Sequence, residues 1–513
     1  MRSLFPLTTL SLQLGLASTL LLLAACSPRL ISQSTPLRQL DIAEETISWD
    51  DGVSTTFDRG ALTVPVNRAR DSRETISVEV ARFRRAATAP EGVPPIFVVR
   101  GGPGYPGIDD ELERSTYYRV YIQPFQAISD VIYVGQRGFG TSHDTSCENR
   151  ERLPVDATDA ARDQAMLEGL AQCRQKWEAE GLDLTGFNVQ EAAADVADAA
   201  RALGYDQIQL YGNSFGSHLG MAILRSFPDL VSRATFGGLE GPDHTYDSPD
   251  GLLNALTKIA RSAESSAALR PQIPEGGLLK AYRALIAQAD ASPIPVRIAD
   301  PDAAESSPVQ DSITVHLDGD DFRELARGVR RGLAWRYIMP AWPLDILAML
   351  DGDFQAAARR IYRLKTQTGL PNAAFYHLDC ASGISPERGA HYRASDAADL
   401  IGPVWRDYDL ECSAWDADLG NTFRAGFQTD VPALLVHGTW DMNTPFENAL
   451  DLRSTFLNHR FIPVEGGSHG AILESVEDID GFENALYHWL ATGDWSALPE
   501  RIELPPLAWE APE

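Results

Sequence analysis

Basic residues are scarce in this chain of 513 residues: 44 Lys and Arg stand against 72 Asp and Glu, a formal charge of −28. A field of that sign repels nucleic acid and anionic lipid and favours cationic ligands, so no nucleic-acid partner is expected. Cysteine is rarer still, with five in all. No CxxC or HExxH pattern sets up a metal site, and neither a metal nor an organic cofactor is expected. Past the first thirty residues no apolar run is long enough to span a bilayer. No internal repeat marks a solenoid or propeller. Apolar residues are not lacking: they make up 44% of the chain, which argues against disorder. The length allows a large core plus a sizeable insertion, since single cores stop growing at roughly 250–300 residues.

The first thirty residues have a character of their own. Arg2 gives a short basic start, an apolar stretch runs to Leu22, and Leu23-Ala24-Ala25-Cys26 closes it. Basic start, apolar stretch and small residues describe a secretion signal. The Leu-Ala-Ala-Cys ending resembles the lipobox of bacterial lipoproteins, which implies a signal peptide over 1–26 and acylation of Cys26. An ordinary signal cut nearby, or an uncleaved anchor, are the alternatives. The expected location is the periplasmic side of a bacterial membrane; Ser27 after the cysteine favours the outer one by family analogy. Residues 27–45, with Ser27-Pro28 and Ser34-Thr35-Pro36 and no periodicity, read as a tether. Four further cysteines in an exported chain favour disulfides. Cys147–Cys173 and Cys380–Cys412 are preferred because they close the shortest loops.

Short apolar runs then alternate with helical patterns. Ile76-Ser77-Val78-Glu79-Val80 alternates at period two, as an edge strand would. Ile96–Val99, Val131–Val134, Ile208–Tyr211 and Ala433–Val436 are short and nearly all apolar, as strands buried on both faces are. Val189–Ala202 carries apolar residues at helical spacing and stops at Gly204. This alternation predicts a mostly parallel sheet covered by helices on both faces. The rhythm breaks over 243–428, where helical segments (Leu252–Arg261, Leu278–Ala289, Phe322–Leu333, Trp342–Leu350) mix with Pro- and Asp-rich loops and Trp335, Trp342, Trp405 and Trp415. That stretch is expected to form a helical cap inserted between a first core part, 46–242, and a second, 429–513. An unrelated second domain is the alternative.

Gly212-Asn213-Ser214-Phe215-Gly216 follows an apolar strand and opens a helix, the setting of a nucleophile elbow. The serine there is held in a strained conformation, so its glycine neighbours are needed for close backbone packing. A serine hydroxyl needs a base and an orienting carboxylate, which follow it in the order acid, then histidine. Asp441 lies in the loop after one late strand, and His469 lies in Gly466-Gly467-Ser468-His469-Gly470 after the next. Among the ten histidines, His218 is assigned to the helix surface, His437 to support of the Asp441 loop, and His488 to the final amphipathic helix. The oxyanion needs two N–H donors, expected from Phe215 and from Gly102 in Gly101-Gly102-Pro103-Gly104.

These pieces together resemble the prolyl iminopeptidase and tripeptidyl aminopeptidase branch of the α/β-hydrolases. The matches are Gly101–Gly104, Gly135-Gln136-Arg137-Gly138-Phe139-Gly140-Thr141-Ser142, the Ser214 elbow, Asp441-Met442-Asn443-Thr444-Pro445 and Gly467-Ser468-His469, in the family's order. The resemblance implies an α/β-hydrolase fold with a helical cap, and removal of an N-terminal proline or short N-terminal peptide from small peptide substrates. Arg100 departs from the histidine usual before Gly-Gly-Pro-Gly, which leaves substrate choice open. An aminopeptidase holds a protonated amine with a carboxylate, and Glu240, in the loop after the strand that follows the elbow helix, is the candidate. An esterase, amidase or lactonase with the same triad and a non-catalytic binding lipoprotein are the competing readings.

Overall fold

The computed structural model describes residues 39–509 except 50–51, 71–73, 105–107, 109–117, 119–121, 303–311, 333–335, 337–338 and 340. Cys26, the signal segment, residues 27–38 of the expected tether and Trp335 lie outside the described residues. The strands are β1 (Leu40–Ser48), β2 (Ser54–Pro65), β3 (Thr75–Phe83), β4 (Ile96–Val99), β5 (Val131–Val134), β6 (Ile208–Asn213), β7 (Val231–Gly237), β8 (Ile294–Ala299), β9 (Ser312–Leu317), β10 (Ala433–Gly438), β11 (His459–Glu465) and β12 (Ile502–Glu503). Ten of them form one sheet in the order β1-β2-β3-β5-β4-β6-β7-β10-β11-β12. From β5 through β12 every pairing is parallel, while β1, β2 and β3 join antiparallel.

The apolar runs explain the layering. All residues of β4 and β10 are buried, because helices cover both faces. Phe97, Val99, Ala433 and Leu435 face the helices Val189–Ala202 and Phe215–Ser226. Ile96, Val98, Leu434 and Val436 face the helices Ala471–Asp478 and Phe482–Thr492. The first of these helices starts where Asn188 accepts hydrogen bonds from the N–H groups of Gln190 and Glu191. It gives way after Leu203 at Gly204, whose φ of +81° suits glycine.

Three expectations need correction. The tether reading of 27–45 fails from residue 40 onward, because 40–45 belong to β1, which pairs along β2. Most of β1 is exposed, so it has no apolar face for a pattern to reveal. Residues 76–80 are not an edge: β3 lies between β2 and β5. Its Glu79 is buried, and the carboxylate is satisfied by Arg59 Nε at 2.5 Å, the Ile108 N–H at 3.3 Å and the Thr141 hydroxyl. The insertion between β7 and β10 is not purely helical either, because β8 and β9 pair as an antiparallel ribbon within it.

The insertion divides its apolar residues in two. Leu252 to Val404 supply most of a cluster of their own, whereas Ala373, Ala374, Tyr376, Leu378, Trp415 and Phe423 join the cluster beneath the sheet. Lys258 Nζ reaches the Thr439 carbonyl at 3.0 Å and Arg336 Nε the Gly466 carbonyl at 3.1 Å, in the loops after β10 and β11. Cys147 and Cys173 are bonded, as are Cys380 and Cys412, with Cα atoms 5.1 and 5.3 Å apart. No helix of the described residues is long and apolar enough to cross a membrane.

Candidate active site

The C-terminal ends of the parallel strands β4, β6, β7, β10 and β11 open on one edge of the sheet, where such folds place their reacting groups. Ser214 stands between β6 and the helix Phe215–Ser226 with φ +60° and ψ −135°. That conformation is costly for a residue with a Cβ and is kept only where the surroundings enforce it. The enforcement is steric. A Cβ on Gly216 would come within 2.0 Å of the Val99 carbonyl oxygen, and one on Gly212 within 2.8 Å of the Gly216 oxygen. The elbow glycines are therefore a packing requirement between β4, β6 and the helix.

Asp441 and His469 meet across the loops after β10 and β11. His469 Nδ1 lies 3.0 and 2.9 Å from the two Asp441 oxygens. Oδ1 also accepts the N–H groups of Asn443 and Thr444, each at 2.9 Å, and Oδ2 accepts the Thr444 hydroxyl at 2.8 Å. Burial alone would raise this carboxyl's pKa; the favourable electrostatics and hydrogen bond of His469, the neighbouring His437 imidazole and the Thr444 N–H bring it below the ordinary carboxylate value. His437 is fully buried. Its Nδ1 accepts the Leu239 N–H at 3.0 Å, so the other nitrogen carries the hydrogen. That Nε2–H donates to the Thr444 carbonyl at 2.8 Å and stands 3.4 Å from Asp441 Oδ2.

Ser214 and His469 are brought to the same place by Asn213, whose Nδ2 donates to the His469 carbonyl at 3.3 Å. A Cβ on Gly238 would meet His469 Cε1 at 2.8 Å, so the imidazole lies close against that glycine. Among the described residues no hydrogen bond joins the Ser214 hydroxyl to His469, a looseness common before substrate binds. The Gly101 backbone faces the serine: a Cβ there would lie 3.2 Å from Ser214 Cβ. Gln136 clamps this loop, donating to the carbonyls of Arg100 at 3.0 Å and Gly101 at 3.1 Å and accepting the Gly104 N–H at 2.8 Å. Gly102, at φ +106°, takes none of these bonds. The Phe215 amide is the first N–H of its helix and has no intrahelical acceptor.

Glu240 is tied to the elbow through Ser217, whose hydroxyl donates to the Ser214 carbonyl at 2.7 Å and accepts the Glu240 N–H at 2.9 Å. The Glu240 side chain is only 13% exposed, with an oxygen 3.8 Å from His218 Nδ1. His218 is not on the helix surface as expected; it is buried beneath the helix Ala373–Ser382. Its Nδ1–H donates to the Gly241 carbonyl at 3.0 Å and Nε2 accepts the Ser382 hydroxyl at 3.1 Å. Burial lowers its pKa to about 4, leaving it neutral beside Glu240. Burial, and the neighbouring carboxylate of Asp379, push Glu240 well above its ordinary range. Asp379 in turn is raised to about 8 by burial and by Glu411. Asp379 and Glu411 each precede one of the bonded cysteines 380 and 412. Sequence reading missed Asp379 altogether, since nothing in its spacing connects it to Glu240. It also missed Glu474, a lone acid in the otherwise apolar first turn of the helix after His469.

Among the described residues no group of three or more His, Cys, Asp or Glu is arranged to hold a metal. Residues 94–318 match the family described as alpha/beta hydrolase fold, and residues 398–497 the family described as TAP-like protein. The chain is 22% identical over 471 residues to tripeptidyl aminopeptidases of Streptomyces coelicolor and Streptomyces lividans, covering 83% of this chain and 81% and 82% of theirs. A solved structure of a proline iminopeptidase-related protein from Thermus thermophilus is similar over 84% of this chain and 97% of its own, at 15% identity and a TM-score of 0.34. By its sheet and by these two family matches, the chain has the α/β-hydrolase fold, and over most of its length it is similar to tripeptidyl aminopeptidases.

Proposed function

We propose that the protein is a serine exopeptidase that removes N-terminal residues or short N-terminal peptides from small peptides. Ser214 Oγ attacks the scissile carbonyl while His469 Nε2 takes its proton, and Asp441 orients the imidazole and stabilises the imidazolium. The amides of Gly102 and Phe215 receive the oxyanion. The imidazolium then protonates the leaving amine, and a water deprotonated by His469 hydrolyses the acyl-enzyme. Glu240, with Asp379 beside it, holds the substrate ammonium through charge-assisted hydrogen bonds. The N-terminal segment adds export and a lipid anchor on Cys26 to the proposal.

The reading rests on one observation above the rest. A buried carboxylate, already accepting three hydrogen bonds from its own loop, is aligned on His469 Nδ1, which frees Nε2 to serve a serine on the same sheet edge. The likeness to tripeptidyl aminopeptidases supports a substrate with a free amine. The test is a panel of prolyl, aminoacyl and tripeptidyl chromogenic amides beside short acyl esters, run on wild type and Ser214→Ala. Turnover of a free-amine amide, lost in Ser214→Ala together with labelling by a fluorophosphonate, is the expected result. Turnover of esters alone would move the assignment to an esterase.

A further inference from the structure

Glu474 is buried, 6% exposed, and lies five residues after His469, in the first turn of the helix Ala471–Asp478. Its oxygens face two ways. Oε2 accepts the Ser468 N–H at 2.8 Å and Oε1 the Ser468 hydroxyl, so the residue before His469 is held by backbone and side chain together. The Ser468 oxygen accepts the Gly470 N–H at 3.3 Å, which pins the residue after His469 as well. Oε1 also accepts the N–H of Arg336 at 3.1 Å. Arg336 belongs to the insertion, and its guanidinium spans the same turn. Nε donates to the Gly466 carbonyl at 3.1 Å, and Nη1 reaches Asp478 at 3.3 Å.

From this geometry we propose that Glu474 is a positioning residue for His469, and that with Arg336 it makes the placement of the imidazole depend on how the insertion is seated. A carboxylate is required at this point. The Ser468 and Arg336 backbone N–H groups can only donate, and they address different oxygens of Glu474. An amide in its place would turn an NH₂ group towards one of them, leaving a buried donor unpaired. His469 itself is held at its carbonyl by Asn213 and at its ring by Asp441 and the Thr444 hydroxyl, while the Gly467 carbonyl accepts the Trp440 N–H at 2.9 Å. Loss of the Glu474 bonds lets the turn shift while Asp441 still holds Nδ1, which moves Nε2 relative to Ser214.

The proposal rests on His469 acting as the base for Ser214, and the experiment separates the two. Glu474→Gln, Ser468→Ala and Arg336→Ala are compared with wild type for amide hydrolysis, for the rate of Ser214 labelling by a fluorophosphonate, and for thermal unfolding. In Glu474→Gln, kcat and the labelling rate fall about tenfold to a hundredfold, as a misplaced reacting group demands, while KM keeps its value. Arg336→Ala shifts the same two quantities in the same direction by less, with KM again unchanged. Should Glu474→Gln fail to fold, Ser468→Ala, which removes the hydroxyl's bond to Glu474 and its bond from the Gly470 N–H, carries the test with the same kcat-only signature. Unchanged kcat and labelling in folded Glu474→Gln would overturn the positioning role, and an effect of Arg336→Ala on KM alone would overturn the link to the insertion. A wild-type protein that the probe does not label at Ser214 sinks the hydrolase mechanism itself.

Discussion

At the residue scale the site is a set of buried charges whose protonation is set by their neighbours. Asp379 titrates at about 8 because burial disfavours its anion and Glu411 repels it. The sign of the consequence follows. Below that pH Asp379 is mostly neutral and adds little to ammonium binding; as pH rises through it, its carboxylate becomes available to the amine, while Glu240, pushed well above its ordinary range, still holds its proton. An α-amino group loses its own proton at roughly 7.7–8.0, so affinity climbs on the acid side and then falls. KM for a free-amine substrate is expected to drop from pH 6 towards 8, and Asp379→Asn to flatten that limb. Steady-state KM profiles of both proteins, with an acyl ester as the amine-free control, check this. An identical limb in Asp379→Asn would remove Asp379 from the amine site.

At the element scale the strands that carry the candidate triad were legible, and the groups that surround it were not. Ser214, Asp441 and His469 each follow a short, mainly apolar run, and strand order on a parallel sheet brings such positions to one edge. His218 and Asp379 are different. His218, on the elbow helix, is covered by Ser382, at the end of the helix Ala373–Ser382, and by Phe423, both over 150 residues away in the chain, and Asp379 belongs to that same helix. Periodicity within either helix cannot report a contact between them. β1 escaped notice for the opposite reason, being exposed on most of its length. The link between Cys380 and Cys412 joins the helix Ala373–Ser382 to the helix Trp405–Cys412, holding Asp379 near Glu411. Replacing both cysteines by serine is expected to raise KM for free-amine substrates several-fold and to leave kcat and ester hydrolysis little changed. Loss of the crosslink also costs roughly 2–4 kcal/mol of stability, so the assay belongs well below the melting temperature. Equal losses on amine and ester substrates would show that the crosslink supports only the fold.

At the scale of the whole molecule, the Gly-Gln-Arg-Gly stretch does two jobs with adjacent residues. Gln136 clamps the glycine loop opposite Ser214. Arg137 turns the other way and is fully buried. Its guanidinium meets both Asp195 oxygens at 2.7 Å and donates to the carbonyls of Val66 at 2.6 Å and Gly186 at 2.7 Å. Arg68 joins the same group from the end of β2, with Glu191 at 2.6 Å, Asp195 at 2.7 Å and Asp198 at 2.8 Å. This network ties the loop after β5, the end of β2 and the helix Val189–Ala202 into one support. A buried ion pair gains little over an apolar pair of the same shape, but breaking one leaves a charge unpaired in a low-dielectric interior. Arg137→Leu strands Asp195 beside Arg68 alone and orphans two buried carbonyls, so it is expected to cost about 3–5 kcal/mol. Asp195→Asn keeps one acceptor for the guanidinium and costs less. Urea unfolding followed by tryptophan fluorescence measures both. A loss below about 1 kcal/mol for Arg137→Leu, the scale of an exposed pair, would show that solvent reaches the network and that the fold does not depend on it.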